Sequence, residues 1–122
     1  MRYRRNPTLK EAIRLLAPEM AHEAQIIYDS WEGEDDPEVG SGGICDEIAN
    51  AIGGVIASHI EDVELDEAYA EGDDHSAVLA SFGSERYVVD ISYWIYESGG
   101  GYSWKKREGV RFKPSDIIIE RV

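Results

Sequence analysis

The spacing of apolar residues changes once along this chain, and the change separates a helical first half from an extended second half. After Thr8, the positions Leu9, Ile13, Leu16, Met20, Ala24, Ile27 and Trp31 recur every three or four residues, the period of a helix with one buried stripe. Thr8 suits an N-cap, and Glu11 three residues later completes a capping-box pattern. Pro18 would remove a hydrogen bond from a helix interior but fits a first turn, so a break is predicted near Ala17, with a second segment starting there. Residues 32–43 hold glycine, proline, serine and five acids, and are predicted to form an exposed loop. A further helix is predicted to begin at about Cys45, with Ile44, Ile48, Ile52, Val55, Ile56 and Ile60 along one face. Gly53 and Gly54 each cost that helix about 1 kcal/mol relative to alanine. A helix that accepts this cost is predicted to be buried, with another backbone pressed against it.

Beyond Ile60 the period shortens to about two. Val63-Glu64-Leu65 opens one predicted strand, and residues 75–81 and 85–92 form a predicted hairpin around Ser81-Phe82-Gly83-Ser84. The segment 93–96 continues or bends its second strand. Ser98-Gly99-Gly100-Gly101 is a glycine-rich loop, followed by short predicted strands near 102–105, 110–112 and 117–120. Helices first and antiparallel strands afterwards give an α+β class: N-terminal helices and a central cysteine-bearing helix packed on a small antiparallel sheet.

Composition narrows the setting. At 122 residues, 43% hydrophobic and 30% charged, the chain, residues 1–122, is expected to be a single soluble domain. A lone cysteine excludes an internal disulfide and points to a reducing, cytoplasmic location. The basic N-terminus lacks the apolar run of a signal peptide. The net charge of −13 is concentrated in the middle, where 20 acids between Glu19 and Asp90 face one base, Arg86. Such a surface repels nucleic acid phosphates and anionic membranes, so neither is an expected partner.

Three residues carry candidate chemistry. Cys45 follows Gly42-Gly43-Ile44 and opens a predicted helix, where unsatisfied N–H groups and the helix dipole stabilise a thiolate and can hold an oxyanion. If the hairpin loop centres on Phe82-Gly83, Ala80 opposes Glu85, Val78 opposes Tyr87 and His75 opposes Asp90. Opposed residues have Cβ atoms about 5 Å apart, close enough for an imidazole and a carboxylate to hydrogen-bond. That carboxylate would fix the tautomer of His75 and stabilise its imidazolium form. Asp90 also interrupts the apolar run Tyr87-Val88-Val89-Asp90-Ile91, where a lone acid needs a partner.

The stretches Gly43-Ile44-Cys45-Asp46-Glu47-Ile48-Ala49, Asp74-His75-Ser76-Ala77-Val78 and Tyr87-Val88-Val89-Asp90 together resemble the papain-like fold in its transglutaminase-like branch. In that family a cysteine opens a helix packed on an antiparallel sheet, and the histidine and acid follow on neighbouring strands. The resemblance covers about half of the chain, from Gly42 to Ser92. It implies Cys45 as nucleophile, His75 as general base and acid, and Asp90 as orienting acid, with no metal and no organic cofactor. Asp46 and Glu47 depart from the family, whose peptidases carry an uncharged residue after the cysteine. Gln25 and Trp31 are the upstream candidates for a side-chain oxyanion donor.

The implied activity is hydrolysis of a peptide, isopeptide or amide bond, or transamidation. The expected substrate is a peptide or protein, with basic ones favoured by the acidic middle. The aromatic residues Trp94, Tyr102 and Trp104 flank the glycine loop and are candidates for lining a substrate groove. Two other classes compete. One is a catalytically silent acidic binding or inhibitor protein on the same scaffold. The other is a metal-dependent hydrolase using Asp73, Asp74, His75 and Asp90.

Overall fold

The computed structural model describes residues 8–31, 44–69, 76–91 and 108–122. Thr8 caps the first helix, α1 (Leu9–Leu15), by accepting a hydrogen bond from the Glu11 N–H at 3.1 Å. The Leu9 N–H, which no helical carbonyl can satisfy, donates to the Glu85 carboxylate at 3.2 and 3.3 Å and ties the helix start to the sheet. The predicted break falls at Leu16. Helix α2 (Ala17–Ser30) then starts with Pro18 in its first turn, where the missing N–H costs nothing. Helix α3 (Ile44–His59) follows, and its apolar face of Ile44, Ile48, Ile52, Val55 and Ile56 is buried.

Four strands follow: β1 (Glu64–Tyr69), β2 (Ser76–Phe82), β3 (Glu85–Ile91) and β4 (Ile117–Arg121). They form one antiparallel sheet in the order β1-β2-β3-β4, each strand beside its neighbour in the chain. The molecule is therefore a small α+β domain, with its N-terminal helices packed against a four-stranded antiparallel sheet. Helix α3 packs on α2 and on β2, and α1 and α2 also reach the sheet directly at β4. The core joins Ile13, Met20 and Tyr28 of the first two helices to the apolar face of α3. From the sheet it takes Val78, Ala80, Tyr87, Val89, Ile91, Ile117 and Ile119.

Three expectations are corrected. The hairpin register lies two residues from the predicted one, with Phe82 opposite Glu85, Ala80 opposite Tyr87 and Val78 opposite Val89. The connection is a two-residue turn at Gly83-Ser84 instead of a loop centred on Phe82-Gly83. Gly83 sits at φ +62°, the place of glycine in a II′ turn, whose twist suits the flanking strands. Residues 110–112 are extended but belong to no strand, because their backbone groups bond to the Gln25 side chain. The third correction concerns α3, which is half-buried. A Cβ at Gly53 would lie 3.7 Å from Val78 Cγ2 and 3.8 Å from Leu65 Cδ1, both side-chain atoms, and Gly54 faces open space.

Candidate functional site

Cys45 is the second residue of α3, as its sequence context predicts, in the turn whose N–H groups have no helical acceptors. Its side chain is 3% exposed and belongs to the core cluster with Ile44 and Ile48. The chain's single thiol forms no disulfide.

Asp90 lies within β3 and is 7% exposed, one of two buried polar residues among those described. Its Oδ1 accepts the Ile91 N–H at 2.7 Å, a charge-assisted bond that offsets part of the cost of burying a carboxylate. Neighbouring side chains of a strand point to opposite faces. Because Tyr87, Val89 and Ile91 enter the helix-facing core, Asp90 projects from the other face of the sheet. One step along the ladder from the Val78–Val89 pair, Ala77 stands across from Asp90. The predicted opposition of His75 and Asp90 is thus replaced by Ala77 and Asp90, because the turn is centred one residue further along the chain and the ladder slides by two. A slide of two keeps the parity of every position, so odd-numbered residues of β2 still share a face with Asp90.

His75 itself lies outside the described residues, as do Trp94, Tyr102 and Trp104, the aromatic groove candidates. Asp73 and Asp74 lie outside them as well. Among the described residues, no group of three or more histidine, cysteine or acidic side chains is placed to hold a metal ion.

The two upstream oxyanion candidates are engaged elsewhere. Gln25 Nε2 donates to Asp29 Oδ1 at 2.9 Å and to the Val110 carbonyl at 3.0 Å, and its Oε1 accepts the Phe112 N–H at 2.7 Å. It holds the segment before β4 against α2. Trp31 closes the C-terminus of α2 and packs at 5.9 Å between ring centroids on Tyr28, whose other neighbour is Phe112 at 5.3 Å.

A cavity of about 400 Å³ opens between α3 and the sheet. From α3 it is lined by Asp46, Asn50 and Gly53, and from the sheet by Glu67, Ser76 and Ala77. The immediate chain neighbours of Cys45 and of His75, Asp46 and Ser76, therefore border one space. Sequence reasoning gave neither Asp46 nor Ser76 a binding role. The available signal was their adjacency to the candidate nucleophile and base. No helix among the described residues is long and apolar enough to cross a membrane.

Comparison with known proteins finds no matching family model, no matching curated protein and no matching solved structure.

Proposed function

We propose that the chain is a papain-like or transglutaminase-like domain that carries out thiol-dependent acyl transfer, with Cys45 as nucleophile, His75 as base and acid, and Asp90 as the acid that orients His75. One observation carries the reading: the first turn of α3 and the opening of β2 border the same cavity, through Asp46 on one side and Ser76 and Ala77 on the other. Cys45 precedes Asp46 and His75 precedes Ser76 in the sequence, which supports a site that takes in both.

In this reading His75 takes the Sγ proton, and the thiolate attacks the carbonyl carbon of the substrate. The oxyanion that forms is held by N–H groups of the first turn of α3. His75 returns the proton to the departing amine, leaving a thioester, which water or a second amine resolves with His75 again acting as base. Asp90 need not reach the thiol. Its part in the reaction is the contact with the imidazole, so its place on the far face of the sheet requires the histidine to bridge from that face to the helix at the strand's end. No metal or organic cofactor enters any step.

The decisive measurement is the rate of Cys45 alkylation by iodoacetamide as a function of pH, in the folded protein and in His75→Ala. Rapid alkylation below pH 7 that disappears in the variant is the expected result. A thiol that reacts only as the pH passes its ordinary value of about 8.5, or that stays unreactive until the protein unfolds, overturns the proposal. The second result is what a silent binding protein on the same scaffold predicts. The 3% exposure of Cys45 is the observation that favours that second reading.

A further inference from the structure

The cavity between α3 and the sheet has a charge and shape of its own. Among the described residues its walls carry three acids, Asp46, Asp66 and Glu67, and no base. Asp46 comes from the first turn of α3, and Glu67 from the strand on the opposite side. Glu67 shares its strand face with Leu65, whose Cδ1 lies 3.8 Å from a Cβ built on Gly53, so that face looks towards the helix. Between the carboxylates the floor is apolar and lined by small residues, among them Ala49, Gly53 and Val78.

A second feature is independent of the acids. Ser76 is 5% exposed and lines the cavity from the helix-facing side of β2, in step with Val78 and Ala80. Its hydroxyl has no hydrogen-bond partner among the described residues. Buried hydroxyls are ordinarily paired, so one facing an accessible cavity is available to a polar group that enters it. A hydroxyl between carboxylates and an apolar floor can donate to a carbonyl while the carboxylates receive a cation.

We infer that this cavity binds the cationic side chain of a basic peptide, a lysine or arginine whose aliphatic stem lies on Ala49, Gly53 and Val78 and whose charged head meets Asp46 and Glu67. The Ser76 hydroxyl donates to a carbonyl of the same peptide. The inference deepens the acyl-transfer reading by giving that site a substrate class, and it rests on that reading for its link to chemistry. Binding itself needs no thiol.

The test uses a short blocked peptide with a single lysine, and its norleucine counterpart, which keeps the stem and lacks the charge. Calorimetric titration is performed on the full chain carrying Cys45→Ala, after a cooperative melt has shown that the variant is folded. The lysine peptide is expected to bind and the norleucine peptide to bind at least about tenfold more weakly, the scale of one charged hydrogen bond. Asp46→Asn with Glu67→Gln should remove that preference, and both substitutions are on exposed side chains that the fold does not require. Ser76→Ala should weaken both peptides alike, and added salt should weaken only the lysine peptide. Equal binding of the two peptides, no binding of either, or an unchanged preference in the double variant overturns the inference. Since no thiol is present, such a failure is distinct from a failure of the alkylation experiment.

Discussion

Gln25 commits every polar atom of its side-chain amide to neighbours, two of them backbone groups of a segment 85 and 87 positions further along the chain. Removing that amide leaves the Val110 carbonyl and the Phe112 N–H part-buried without it. Gln25→Ala is expected to lower the unfolding free energy by about 1–3 kcal/mol, read as a lower urea midpoint at unchanged slope. An oxyanion role would instead leave stability alone and act on the rate of acyl transfer, where the tetrahedral intermediate forms. Residue-scale roles of this kind were poorly legible in the sequence. A glutamine on a helix carries no local mark of a partner so distant. Tyr28, the largest fully buried side chain, also fell outside the stripe read from Ile27 and Trp31. Cys45 and Asp90 were legible in part. Helix start and strand interior fix their backbone positions, whereas the burial of the thiol depends on how the helices and the sheet close over it.

At the scale of elements, α3 and the β2–β3 hairpin decide how the candidate site is arranged. Helix boundaries were readable because caps and prolines act locally: Thr8, Pro18 and the change of period after Ile60 each fall where the structure places an end. The hairpin was readable as a hairpin but not in register. Register depends on which two residues stand at the centre of the turn, and a glycine at φ +62° in the first position places it at Gly83-Ser84. The segment 110–112 failed as a strand because apolar residues in extended chain satisfy the pattern of a strand whether or not a ladder receives them. For α3, the two glycines are unequal. A methyl group at Gly54 meets nothing within 4 Å, so Gly54→Ala is expected to stabilise the protein by about 0.5–1 kcal/mol through helix propensity. The same change at Gly53 adds ordinary contacts with Val78 and Leu65 and takes up space on the cavity floor, so it should perturb lysine-peptide binding.

At the scale of the whole molecule, and among the described residues, the order of the sheet leaves β1 as a terminal strand whose Glu64, Leu65, Asp66 and Glu67 are exposed. The overall class was legible at this scale because helical and extended halves follow each other in the chain and every strand pairs with its sequence neighbour. The sequence could not reveal which acids of the crowded middle would meet across a cavity, since that depends on α3 crossing β2. The terminal strand has a consequence for what the protein does in company. An open strand offers unpaired backbone groups to any other chain, and two molecules meeting strand to strand would build one continuous sheet. Here such a meeting would bring Glu64, Asp66 and Glu67 of each copy against their like, and like charges set opposite one another oppose the join. Replacing Glu64 and Asp66 with threonine keeps a strand-forming sequence and removes that repulsion. The variant is expected to self-associate with rising concentration in light scattering, under conditions where the parent stays dispersed. If it stays equally dispersed, the acids of β1 are not what keeps copies apart. Self-association of the variant would show that the acids of β1 keep two copies from joining through their sheets.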